Sequence, residues 1–284
     1  MSLVRTARRK IPSDTDAETA LKRYRSVIFL IVYSVLALAI AGSASAETLT
    51  INSAINKAGR QRMLSQRMAK VYCQAGLGVE VERARRILEQ SVALFDKQLM
   101  DLQAFAPTPE IKDTYARLEQ AWTPYKQLLS SSEPNLENGK TIARMSEEVL
   151  KLAQQGTVQL ERFSGTTTAK LINVAGRQRM LSQRIAKISM LRAWGITSPQ
   201  MTQELDSATT EFAAAQELLT SAPQNTATIR GELQLAGSQW LFFKEALSQT
   251  GVSRAEQLRN IATTSERILQ VMDDVTGMYE RTLK

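Results

Sequence analysis

Histidine is missing from all 284 residues. Its absence removes imidazole acid–base chemistry and the commonest metal ligand. Cys73 is the single cysteine, so one chain can build neither a disulfide framework nor a thiolate metal cluster. These gaps exclude most catalytic constellations, and the chain reads as a non-enzyme without a cofactor or metal. Glycine and proline are scarce, at 13 and 7 residues, while Leu, Ala, Gln, Arg, Glu and Met are plentiful. That balance favours helix over strand. An apolar content of 43% is ordinary for a globular protein, and the length suits one large domain or two modest ones.

Long apolar runs are also lacking, with one exception. Residues 27–41 read VIFLIVYSVLALAIA, preceded by Lys22, Arg23 and Arg25 and followed by the A-x-A site Ala44-Ser45-Ala46. A basic leader, a short apolar stretch and a small-residue exit are the requirements of a secretory signal. The run is short for a membrane span, which needs about 20 apolar residues. Residues 1–46 are therefore read as an export signal, either cleaved or retained as an inner-membrane anchor. In both cases the chain from Glu47 onward is expected in the periplasm. This segment carries seven bases and three acids, so only +4 of the formal +8 charge belongs to the remainder. Such a small charge on an exported chain argues against nucleic acid as a partner.

The chain repeats itself. Residues 55–70 read INKAGRQRMLSQRMAK and residues 172–187 read INVAGRQRMLSQRIAK, identical at fourteen of sixteen positions with an offset of 117. The flanks repeat in pattern only. After each motif come a turn, an amphipathic stretch, a stretch holding Trp122 or Trp240, and a fourth stretch from about 137 or about 253. Four helices with short links make an up-down-up-down bundle. The expectation is all-α: two tandem antiparallel four-helix bundles, 47–163 and 164–284, after the signal segment. Ser198 and Ser253 suit helix N-caps. The junction stays open: a continuous helix would stack the bundles end to end, whereas a break at Ser164–Thr168 would fold them side by side.

Acidic residues are absent where the motif falls. None occurs between Glu47 and Glu80 or between Glu161 and Glu204, yet each stretch carries several Lys and Arg. Such a cluster repels itself unless solvent, an anion or carboxylates from other helices offset it. On a helix, residues three and four apart share a face, so Asn56, Gly59, Arg62 and Gln66 form one strip, and Asn173, Gly176, Arg179 and Gln183 form its twin. Leu64, Met68 and Val71, with Leu181, Ile185 and Ile188, suit the core. A glycine inside a helix costs about 1 kcal/mol relative to alanine. Its presence in both copies points to close approach by a neighbouring helix, a ligand or both. Guanidinium is planar, charged and forked, which suits a small oxyanion. Cys73 aligns with Met190 and reads as a buried apolar position.

The string I-N-x-A-G-R-Q-R-M-L-S-Q-R resembles the first helix of the PilJ N-terminal domain of type IV pilus chemotaxis transducers. It is also similar to the corresponding helix of NarX-type nitrate/nitrite sensor domains. The resemblance implies antiparallel four-helix bundles and a nitrate or nitrite ligand held by Arg62 and Arg179 beside Gly59 and Gly176. Those families couple the sensor to membrane spans and a signalling module, which this chain is expected to find in a separate membrane partner. Two function classes follow. One is a periplasmic sensory protein for a small oxyanion, with the eight strip residues as its ligand-binding set. The other is a ligand-free helical interaction or dimerisation scaffold associated with a pilus or chemosensory system, its motif helices driving self-association.

Overall fold

A computed structural model describes residues 49–131 and 133–282. The export-signal reading falls on residues 1–46, outside them. The described residues form eight α-helices and no strand: α1 Ile51–Gly76, α2 Val81–Phe105, α3 Pro109–Ser131, α4 Leu136–Ser164, α5 Thr167–Ala193, α6 Pro199–Thr220, α7 Ala227–Ser248 and α8 Arg254–Thr282. Within each set of four, successive helices pack on one another and the fourth closes onto the first. The expected pair of antiparallel bundles is the architecture observed.

Local chemistry sets the helix ends. Thr50 caps α1 by accepting from the Ser53 amide, and Thr166 caps α5 by accepting from the Ala169 amide. Ser198 caps α6, and the Ser253 hydroxyl accepts from the Glu256 amide at the start of α8. The junction is broken. Gly165 ends α4 in the left-handed region at φ 66°, and its amide closes back on the Glu161 carbonyl. The chain therefore turns back, and the bundles lie side by side.

The core follows from this return. α1 packs most extensively against α5, and α1 also meets α8 as α4 meets α5. The two motif helices run in the same direction, because each is antiparallel to α4 and to α8. They are consequently surrounded by helices and buried on nearly every side. One apolar core runs through both bundles and contains Leu64, Met68, Leu181 and Ile185, while Val71 and Ile188 are buried as well. Trp122 stacks on Phe95 with ring centroids 4.0 Å apart, and Trp240 stacks on Phe212 at 4.1 Å, equivalent pairs in the two bundles. Cys73 is fully buried, and burial pushes its thiol up to about 12. Among the described residues, no helix is long and apolar enough to cross a membrane.

The C-terminal ends of the two motif helices differ. Trp194, just past α5, lies over Gly76 and Gly139, where an added Cβ at Gly139 would come within 2.7 Å of the indole. Its ring also meets Tyr72 at 6.3 Å. The equivalent place in the first repeat holds Leu77.

Candidate functional site

The two motif helices meet at their glycines. A Cβ on Gly59 would lie 3.8 Å from the Gly176 Cα, and the reverse distance is also 3.8 Å. Missing side chains thus let two helix backbones approach, and the space beside them is taken by arginine. Arg62 and Arg179 are fully buried. Helical side chains lean toward the N-terminus of their own helix, so each guanidinium reaches back to the other motif. Arg62 Nη2 donates to the Asn173 carbonyl at 3.2 Å, and Arg179 Nη2 donates to the Asn56 carbonyl at 3.3 Å and to Asn56 Oδ1 at 2.8 Å.

Of the eight strip residues, Asn56, Gly59, Arg62, Asn173, Gly176 and Arg179 come together here. Gln66 and Gln183 do not. Gln66 Nε2 donates to the Ser146 carbonyl and Gln183 Nε2 to the Ser265 carbonyl, each tying its motif helix to the fourth helix of its own bundle. Gln61 and Gln178 tie each motif helix to the second helix of its bundle instead, donating to the Phe95 and Phe212 carbonyls.

The basic cluster, without acids on its own helices, acquires them from elsewhere. Arg67 and Lys70 of α1 both pair with Glu266 of α8, and Arg184 and Lys187 of α5 both pair with Glu147 of α4. Arg60 Nη2 lies 2.6 Å from Asp273, which also pairs with Arg179. Asn56 Nδ2 donates to Glu280 and Asn173 Nδ2 to Glu161. Each motif helix is therefore clamped by the fourth helix of the opposite repeat. Lys57 and Arg177 instead pair with Asp101 and Glu211 on the second helix of their own repeat.

Arg62 is the exception. Among the described residues it is the motif cation with no carboxylate within 4 Å. Its Nη1 donates to the neutral Gln154 Oε1 at 2.6 Å, an acceptor shared with Arg177 at 3.0 Å. Its Nε has no hydrogen-bond partner. Burial, with the charges of Arg177 and Arg179 adding to it, drives the Arg62 guanidinium down to about 9. Burial also lowers Arg179, but Asp273 opposes the shift and leaves it at about 10. Gln154, Asp273, Glu147 and Glu266 carried no motif signal. Their only mark in the sequence is the recurrence of Ser-Glu at 146–147 and 265–266, which places Gln154 and Asp273 in register.

Two helical repeats, joined through a buried motif pair and clamped crosswise by acids, define a tandem helical-bundle protein. The chain belongs to the PilJ family, the Type IV pili methyl-accepting chemotaxis transducer N-terminal domain, matched over residues 44–148 and 163–274. This is a non-catalytic helical sensory family whose domains are typically periplasmic or membrane-associated. No curated relative and no solved structure matches the chain.

Proposed function

We propose that this chain is a periplasmic sensory module that binds a small monovalent oxyanion, nitrate or nitrite, between its two motif helices and reports to a separate membrane signalling partner. The observation that carries this reading is the pair of fully buried guanidiniums of Arg62 and Arg179 beside the Gly59–Gly176 contact, with Arg62 lacking a carboxylate. A buried charge left unneutralised is costly, and a planar oxyanion matches the guanidinium fork. Asn56, bonded to Arg179 and Glu280, and Asn173, bonded through its carbonyl to Arg62 and through its side chain to Glu161, would orient it. The motif's similarity to NarX-type sensors supports the same ligand class. Because the site lies at the seam between the repeats, occupancy would alter how the bundles pack, which is the physical basis of a signal.

The second reading, a ligand-free interaction scaffold, draws on a different observation. Carboxylates on other helices meet every other basic residue of the two motifs, as they would in a purely structural clamp. Thermal melts in sodium nitrate, sodium nitrite and sodium chloride at equal ionic strength separate the two. The sensory reading expects nitrate or nitrite to raise Tm above chloride, in line with ligand stabilisation of about 2.7 kcal/mol at a hundred times Kd, and expects Arg62→Ala with Arg179→Ala to abolish the rise. No rise with either ion, together with a change only in oligomeric state for the double variant, sinks it in favour of the scaffold.

A further inference from the structure

The two halves of the arginine pair are equivalent in sequence and in backbone, but they are not equivalent in charge. Gln154 of α4 and Asp273 of α8 occupy matching positions, each eight residues after the serine of the shared Ser-Glu pair. Their bonding matches as well. Gln154 Oε1 accepts from Arg62 and Arg177, while Asp273 Oδ1 accepts from Arg179 and Arg60. Arg60 is the counterpart of Arg177, and Arg62 that of Arg179, at the 117-residue offset. One ring of two arginines thus closes on a carboxylate and the other on a neutral amide.

We infer that Asp273 is a built-in anion occupying one half of a duplicated site, so that the chain takes a single external oxyanion on the Arg62 side and Gln154 is the residue that keeps that half open. This rests on the oxyanion reading proposed above and adds its stoichiometry and side. A neutral amide oxygen satisfies one guanidinium donor without neutralising the cation; the Nε–H is buried and unpartnered in both Arg62 and Arg179, so the carboxylate is what tells the halves apart. Glu161 and Glu211 offset the Arg62 charge through space, but neither pairs with its guanidinium: Glu211 pairs with Arg177, and Glu161 accepts from the Asn173 side chain. A carboxylate at Asp273 already provides Arg179 with what a nitrate would provide, and it is covalently attached, so an external anion competes poorly there. The first repeat differs further. Tyr115, buried against Gly156, has an unpartnered hydroxyl within the electrostatic reach of Arg62. Leu233 and Val275 stand at the matching positions of the second repeat.

The test is isothermal titration of the full chain with sodium nitrate and sodium nitrite, in the wild type and in Gln154→Glu. Glutamate keeps the shape of glutamine and replaces the amide with a carboxylate, so folding is not at risk. Expected results are one anion bound per wild-type chain, and affinity reduced at least tenfold in Gln154→Glu with a higher Tm in nitrate-free buffer. In the opposite variant, Asp273→Asn, the emptied half should bind a second anion, or nitrate should restore a Tm lost on substitution. Two anions per wild-type chain, or unchanged binding in Gln154→Glu, overturns the single-sided assignment and leaves the oxyanion reading standing. No binding of either ion to the wild type overturns both.

Discussion

Glycine at four positions illustrates how one residue type serves opposite ends. At Gly59 and Gly176 the missing side chains admit a second backbone and two guanidiniums; at Gly76 the same lack seats the Trp194 indole, which an added Cβ would overlap. Gly231, within α7, is exposed and has nothing within 4 Å of its Cβ direction. Gly76→Ala should therefore destabilise the protein by about 1–3 kcal/mol, the usual effect of overpacking. Gly231→Ala should stabilise it by about 0.5–1 kcal/mol, because only the backbone entropy of glycine is removed. Urea melts of the two variants check both signs. A gain at Gly76 would contradict the packing described at Trp194, and a loss at Gly231 would contradict the open space beside it. Arg62 belongs to the same scale: its identity is plain from the sequence, whereas its lack of a carboxylate depends on residue 154.

At the scale of elements, α4 and α8 act as clamps on the opposite motif helix. Burial alone would raise the Glu266 carboxyl, but Lys70 and Arg67 overcome it and hold the group at about 2, against an ordinary value near 4.5. Burial likewise opposes the ionisation of Glu147 and Asp273, yet Lys187 with Arg184, and Arg179 with Arg60, hold these two below their ordinary values. A carboxyl depressed in the folded state contributes stability above its unfolded pKa and loses it as pH falls through the folded one. For Glu266 the window runs from about 4.5 down to about 2. Thermal melts should thus show Tm falling steeply across that interval. Glu266→Gln should remove part of the fall and, at pH 7, leave Lys70 buried without its partner, a loss of about 3 kcal/mol. Glu147→Gln should lose less, because the Glu147 side chain is 35% exposed and solvent screens it. Equal losses in the two variants would show that burial does not grade these clamps.

For the whole molecule, the consequence of side-by-side bundles is that neither repeat has a complete surface alone. α1 and α5 would each expose a glycine–arginine face; α1 would lose Asp273, Glu266 and Glu280, and α5 would lose Glu147 and Glu161. The protein should unfold in one transition in urea. Trp122 and Trp240, one per bundle, report on the halves separately. Variants keeping only one of them, each with Trp194→Phe, should give fluorescence midpoints that coincide with each other and with circular dichroism. Separate midpoints would mean that the bundles are independent and that the seam contributes little.

Sequence alone determined the helical class, the duplication, the N-caps at Ser198 and Ser253, the core face of the motif and the glycine–arginine strip. Each is written in local spacing, because helix periodicity and capping act over three or four residues. The strip was legible only in part: Gln66 and Gln183 share its helical register, yet they bond the fourth helix, since a strip spans more of the helix circumference than one contact uses. Tertiary structure decided the rest. Gly165 turned the chain back, and that return converted a basic cluster without local acids into crosswise ion pairs with Glu147, Glu266 and Asp273. Charge acts through space between residues about two hundred positions apart, as for Lys70 and Glu266, and no local pattern records such a distance. It also left Gln154 opposite Arg62, the asymmetry on which the proposed site depends.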